Sequence, residues 1–186
     1  MTTVEAIKSR KDILKIETIL SSQNYRNLML FTLGINSGLR ISDILKLNVS
    51  DVKNKKYITL IEKKTGKAKK IPINQKLKNM FRFYTNGRSG FEPLFTTKYN
   101  NRLDRITAYR IINNACAQAN IEINAGTHTL RKTFGFHHYK QFKDVVILQK
   151  IFNHSSPEIT LRYIGIEQEE INNSYIKFVL WKICLW

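Results

Sequence analysis

The chain of 186 residues contains no run of about 18 apolar residues, so no segment of it reads as a membrane-spanning helix. Its opening, MTTVEAIKSRKDILKIE, lacks the apolar stretch that a secretory signal requires. Cysteine is scarce. Cys116 and Cys184 stand without metal-ligand spacing and are too few for a disulfide framework, so reduced thiols in a cytoplasmic protein are expected. There is no internal repeat and no low-complexity segment. The largest deficit is acid: 14 Asp and Glu face 31 Lys and Arg, for a net charge of +17. An imbalance of that size implies a polyanionic partner, either nucleic acid or an anionic membrane surface. Without a membrane segment, nucleic acid is the stronger expectation.

Apolar residues make up 42% of the chain, enough for a real core and too many for disorder. The length fits one domain, with or without appendages. Helical spacing predicts helices over Ile7–Leu20 and Leu28–Ile35, the latter stopping near Ser37-Gly38, and a short helix over Ile41–Leu47. From Tyr57 the pattern becomes strand-like: YITLI, a break at KKTGK, then AKKIPI, a hairpin candidate with Thr65-Gly66 at its turn. Lys76–Tyr84 reads as helix and TNGRSGFEP as loop. Asp104–Asn120 reads as an amphipathic helix with Ile106, Ile111, Ile112, Ala115 and Ala119 inward. Thr127 is the expected cap of a helix reaching about Tyr139. Val145–Phe152 follows, and Ser156-Pro157 is a cap and first-turn pair for a helix carrying Tyr163. Gln168–Phe178 closes the series. The expected class is mainly α with a small antiparallel β-hairpin.

Charge is concentrated as well as large. Residues 53–110 hold eleven Lys and five Arg against Glu62, Glu92 and Asp104, a local excess of +13 that points to DNA or RNA contact. Breaking or joining a nucleic-acid backbone without a metal needs fixed cations on the non-bridging oxygens, an in-line nucleophile and a proton donor to the leaving oxygen. Arg40 follows SGL at a helix start, where amide dipoles add to its field. His128 and Arg131 stand three apart and share a helix face. His154 precedes another helix, and Tyr163 lies about two turns further on. Each has a plainer reading alone: Arg40 as an ion-pair partner of Asp43, His128 and Arg131 as a spacing coincidence, Tyr163 as a packing residue. His137-His138 are adjacent, cannot ligate from one helical face, and read as structural.

Together these residues strongly resemble the tyrosine recombinase (phage integrase) family. The first box is SGLRISDILKL, with Arg40 as catalytic arginine and Asp43 as acidic support; the hairpin box is IEKKTGKAKKIPI. The family's catalytic lysine lies eight residues before the hairpin proline, which selects Lys64, with Lys63 and Lys67 as fallbacks. THTLRKTF supplies His128 and Arg131, and LQKIFNHSSPEITLRYIGI supplies His154 and the nucleophile Tyr163. The spacings of 26 and 9 residues match bacterial and phage members, and the likeness runs from about residue 10 to 175. One departure is Asn153, where the family usually has Gly; Asn tolerates the left-handed backbone such a loop requires.

The resemblance implies the fold of that family's catalytic domain and cleavage through a 3′-phosphotyrosine, with a 5′-hydroxyl released. Arg40 and Arg131 clamp the phosphate, Lys64 is general acid, His128 accepts the tyrosine proton or orients the phosphate, and His154 donates a further hydrogen bond. Neither metal nor ATP is required. The implied partner is double-stranded DNA, in a tetramer on paired sites within a full-length enzyme; a monomer in isolation is compatible. Lys63, Lys67, Arg102, Arg105 and Arg110, with nearby Lys98, are the candidates for further DNA contact. Residues 1–186 are expected to be one catalytic domain, without the family's core-binding and arm-binding domains. The apolar end, SYIKFVLWKICLW within 167–186, is expected to dock either on a neighbouring protomer or back in cis. A DNA-binding regulator of the same fold and a type IB topoisomerase-like relaxing enzyme are the alternatives.

Overall fold

The computed structural model describes residues 4–61, 66 and 68–180. Helix α1 spans Arg10–Gln23 and α2 spans Tyr25–Ser37, with Asn24 alone between them. Asn24 serves both: its backbone N–H donates to Leu20 O, and its side chain accepts from Arg26 N. Helix α2 therefore begins three residues before Leu28, where apolar spacing alone placed its start. Helix α1, conversely, begins at Arg10 rather than Ile7. Residues 4–9 are instead an extended strap: Glu5 N donates to Asn124 O, and Ile7 N donates to Thr133 Oγ1.

Helix α2 ends at Gly38, whose φ of 62° is left-handed. A Cβ there would also lie 2.5 Å from Phe134 Cδ1, so glycine is required twice over. The following α3 covers only Ile41–Ile44, shorter than the expected stretch to Leu47. A single 3-10 turn at Val49–Asp51 leads into β1 (Tyr57–Ile61) and β2 (Ala68–Pro72), antiparallel with Tyr57 opposite Pro72 and Ile61 opposite Ala68. Helix α4 (Gln75–Tyr84) starts on an Asn74 cap and α5 (Arg105–Gln118) on an Asp104 cap.

Then come α6 (Thr129–Phe142), α7 (Val145–Phe152), α8 (Pro157–Ile164) and α9 (Glu167–Lys177). Ser156 caps α8 with Pro157 in the first turn, as its sequence indicates. Thr127 is buried and is not the cap of α6. That place falls to His128, because Thr129 Oγ1 turns back to accept from Gly126 N. On α5 the inward stripe is Ala108, Ile112 and Ala115, with Ala119 just beyond; Ile106 lies off that stripe and is 64% exposed, contrary to its expected place inside.

The core has two parts. The larger gathers residues of α1, α2, α4, α5, the hairpin and their connections, with Leu30, Phe31, Ile58, Phe81 and Ile112 among those fully buried. The smaller joins Ala6 of the strap to Phe136, Tyr139, Leu148, Phe152 and Ile164 of α6, α7 and α8. Helix α2 packs against α1, α4 and α6 and so connects the two. Helix α9 offers little to either: Ile171, Tyr175 and Ile176 are exposed, as is Phe178 just beyond it. No helix among the described residues is long and apolar enough to cross a membrane.

Close packing of α6 on α8 and α7 depends on Gly135. A Cβ there would sit 2.6 Å from Ile164 Cγ2 and 2.7 Å from Phe152 Cε2. Alanine normally favours a helix by about 1 kcal/mol over glycine. Here the overlap reverses the sign: Gly135→Ala is expected to destabilise by about 1–3 kcal/mol, lowering Tm by about 2–4 °C per kcal/mol. A thermal melt checks this, and an unchanged or higher Tm would show that the two helices can part without loss.

Candidate active site

Four short segments converge on one place: the turn from α2 to α3, the first turn of α6, the loop from α7 to α8, and the end of α8. Arg131 ties them together. It is 3% exposed; its Nη1 donates to Gly38 O and its Nη2 donates to Phe152 O at 2.9 Å. The guanidinium carbon also lies 4.3 Å from the centre of the Phe152 ring. Two backbone carbonyls and an aromatic face thus hold the fork in one orientation before any ligand arrives. Arg40 caps α3 two residues after Gly38, and Asp43 is buried one turn further on.

Tyr163 is half-buried near the end of α8, edge-on to Phe152 at 5.5 Å and to His154 at 5.2 Å. Its hydroxyl lies 3.4 Å from His128 Nδ1. Burial pushes the phenol above its ordinary pKa, while the Arg131 and Arg40 guanidiniums pull it back down. His128 keeps an exposed outer side, yet partial burial and then the charges of Arg105, Arg131, Lys132 and Arg40 hold its pKa below the usual imidazole range. A neutral imidazole with its proton on Nε2 leaves Nδ1 to accept from the Tyr163 hydroxyl. The arrangement therefore pairs a phenol with a base and sets two guanidiniums nearby.

His154 is positioned through Asn153, which ends α7 in the left-handed conformation at φ 53°. The substitution of Asn for the usual Gly thus costs the loop little. His154 N donates to Gln149 O at 3.1 Å, and Gln149 Nε2 donates to His154 O at 3.1 Å. Its ring Nδ1 is 3.1 Å from Thr160 Oγ1, and that hydroxyl in turn donates to Ser156 O. When the hydroxyl proton is committed there, His154 Nδ1 carries hydrogen and Nε2 donates only in the imidazolium form. When the hydroxyl donates to Nδ1 instead, the neutral ring keeps its proton on Nε2.

The remaining candidates divide. Lys63, Lys64 and Lys67 lie outside the described residues, as do residues 181–186 of the apolar tail. The hairpin that bears these lysines is nonetheless anchored at the site: Lys69 Nζ donates to Ile151 O at 2.6 Å. Arg105, at the start of α5, is near enough to His128 to depress its pKa. Arg110 is exposed on the same helix, and Lys98 sits over the Tyr99 ring at 4.8 Å. Arg102 has a structural employment, because its guanidinium donates to Leu45 O, Leu47 O and Asn48 Oδ1. A separate surface cavity of about 380 Å³ at the other end of the hairpin is lined by Lys55, Lys56, Lys78 and Arg82. Sequence reasoning missed Lys132, which is 8% exposed and has its Nζ 5.1 Å from the centre of the Tyr163 ring. Its only sequence signal was its place beside Arg131.

His137 and His138 are structural, as read. His137 Nε2 donates to Ile7 O at 3.0 Å and so clamps the strap. His138 stacks between Phe134 and Phe142, at 5.5 and 4.7 Å.

The sequence profile described as "Phage integrase family" matches residues 7–170. The chain is 45% identical over 179 residues to the probable integrase/recombinase YoeC of Bacillus subtilis, covering 96% of this chain and 98% of that protein. It is 25% identical to the tyrosine recombinase XerA of Pyrococcus furiosus, covering 89% of this chain but 59% of the relative. The fold matches the crystal structure of XerA recombinase with a TM-score of 0.76 at 19% identity, over 95% of this chain and 64% of that one. It matches the catalytic domain of bacteriophage HP1 integrase with a TM-score of 0.64 at 24% identity, over 95% and 96%. A lambda integrase tetramer bound to a Holliday junction gives 0.72 at 18% identity, over 88% and 49%.

Acid should weaken this assembly through its histidines. Burial lowers the pKa of His137 and His138, against the raising effects of the Ile7 carbonyl and of Asp144. The unfolded chain therefore binds protons first, at about pH 6.5. The stability that neutral histidines contribute is complete above that pH and is lost as pH falls through the depressed folded values. The buried Nδ1 of His138 has no hydrogen-bond partner. His138→Phe is accordingly expected to melt at or above the parent at pH 5.5, with a smaller difference at pH 8. A lower melting temperature for the variant at both pH values would refute this account of His138.

Proposed function

The chain belongs to the phage integrase family, and from that membership we propose that it is a site-specific DNA recombinase or integrase catalytic domain that cleaves and rejoins strands through Tyr163. The observation that carries the reading is the Tyr163 hydroxyl at 3.4 Å from His128, in a pocket whose buried arginine is already oriented. A DNA phosphodiester seats between Arg40 and Arg131, which take its non-bridging oxygens. Tyr163 Oη passes its proton to His128 Nδ1 and bonds to phosphorus, and the bond from phosphorus to the 5′-oxygen breaks. Lys64 delivers the proton to that leaving oxygen. His154 adds a further hydrogen-bond donor, and Asp43 supports the pocket beside Arg40. The phosphotyrosine stores the energy of the broken bond, so attack by another strand's 5′-hydroxyl reseals the backbone.

Phosphate contacts by Arg105, Arg110, Lys98 and the hairpin lysines supply binding that weakens steeply with salt. The chain spans nearly all of YoeC but little more than half of XerA. Assembly on paired DNA sites is part of the proposal, supported by the lambda integrase tetramer bound to a Holliday junction. The exposed apolar side chains of α9 suit docking on a neighbouring protomer. Truncation after Asn173 is expected to abolish DNA-dependent assembly seen by sedimentation, and unchanged assembly would sink trans docking.

Chemistry is tested on a nicked duplex from which the cleaved fragment escapes. The parent is expected to accumulate a covalent protein–DNA adduct. Tyr163→Phe should abolish the adduct while preserving salt-sensitive binding, and Arg131→Ala should slow adduct formation by about 100-fold or more. An adduct formed by Tyr163→Phe would make Tyr163 the wrong nucleophile. Absence of an adduct from the parent would favour the DNA-binding regulator.

A further inference from the structure

Arg131 and Lys132 are the two cations buried among the described residues. The mechanism uses the first and leaves the second without a task. Removing an ammonium from water is costly, so a buried lysine with no carboxylate at contact distance among the described residues calls for a cause. Lys132 lies four residues after His128 and on the same helix as Arg131. Its Nζ stands over the ring of Tyr163, 5.1 Å from the centroid. Burial lowers its pKa, and the Glu5 carboxylate of the strap opposes that shift and favours the ammonium.

We propose that Lys132 is a positioning residue for the nucleophile: its ammonium, laid on the Tyr163 ring, holds the phenol toward His128 and stabilises the phenolate as the proton leaves. The inference rests on Tyr163 being the nucleophile. Loss of the hydroxyl proton pushes negative charge into the ring, so a cation on the ring face attracts the phenolate more strongly than the phenol. The groups around Tyr163 give Lys132 a distinct place. From α6 come His128, Arg131 and Lys132; from the start of α3, Arg40; from the loop before α8, His154; and Phe152 closes an apolar side. Arg40 and Arg131 serve the phosphate and His128 takes the proton. Among the lysines and arginines of this set, Lys132 is the one over the ring itself, which His154 and Phe152 meet edge-on.

The test is single-turnover adduct formation on the nicked duplex between pH 6 and 10. Lys132→Met is expected to slow it about tenfold at neutral pH and to shift the alkaline limb up by about one unit. Lys132→Gln should do the same and covers the case in which Lys132→Met fails to fold. Lys132→Arg, which keeps the charge, should hold the limb where the parent has it. Affinity measured in a Tyr163→Phe background should change by less than about threefold on adding Lys132→Met. A second substrate carries sulfur at the bridging 5′ position, a leaving group that needs no proton. It should restore Lys64→Met and leave Lys132→Met slow. An unmoved alkaline limb in Lys132→Met and Lys132→Gln overturns the proposal. So does rescue by the sulfur substrate, which would make Lys132 the proton donor. Loss of affinity equal to the loss of rate also overturns it, because the lysine would then serve DNA. No adduct from the parent would instead strike the reading of Tyr163.

Discussion

A buried guanidinium is the constraint on which the site depends. Removing a charge from water costs several kcal/mol unless its hydrogens find acceptors. Arg131 finds Gly38 O and Phe152 O, and stacks on the Phe152 ring. Each carbonyl sits at the end of a helix, where peptide oxygens lack intrahelical partners and carry the negative end of the helix dipole. The charge is thus stabilised by groups that themselves needed a donor. The chain then follows: Arg40 is two residues beyond Gly38, His154 two beyond Phe152, and His128 three before Arg131. Segments far apart in sequence are brought into one pocket because one side chain must satisfy itself at both helix ends.

Those helix ends are shaped by left-handed residues. Gly38, Asn153 and Gly165 close α2, α7 and α8 at φ values of 62°, 53° and 73°. Each lets the chain reverse sharply while the last carbonyls stay available. Asn153 shows that the requirement is conformational rather than for glycine as such, since an asparagine holds the left-handed conformation there at φ 53°. Gly38 differs, because Phe134 occupies the space where a Cβ would stand. The strap contributes from behind: Thr133 and His137 of α6 are both tied to Ile7. The helix that carries Arg131 and Lys132 is therefore fixed on both faces.

Local signals in the sequence were enough for most of the helices and for the hairpin. Ser156-Pro157 announces α8 because its cap and its fixed φ act within one turn, and the strand-like pattern of YITLI and AKKIPI marks the two arms of the hairpin. Arg40, His128, Arg131, His154 and Tyr163 were legible as a set through their spacing, and the structure brings them together. What escaped was decided by distant partners. Ile7 reads as helix until Thr133 takes its N–H. Ile106 reads as core because isoleucine usually is, while the stripe through Ala108 and Ile112 faces elsewhere. The hydrogen bonds of the Arg102 guanidinium to three acceptors of the 45–48 segment had no local signal either. Lys132 reads as one more solvated lysine in a chain of +17, and only packing against Tyr163 sets it apart.

On the proposed mechanism, the same electrostatics bear on when Tyr163 can act as nucleophile. In the free protein, burial holds the Tyr163 phenol protonated and the two arginines work against that. A phosphodiester seated on Arg40 and Arg131 brings its own negative charge and cancels much of their pull on the phenol. A phosphate bound in the proposed way would therefore remove the assistance that the arginines give to ionisation at the moment it is needed. The groups that remain effective are those the phosphate does not consume: a neutral His128 to receive the proton, and a cation placed on the ring rather than on the phosphate. Segregating phosphate-binding charge from nucleophile-activating charge would resolve that conflict, and on the proposed roles the adjacent positions Arg131 and Lys132 of one helix divide the two tasks.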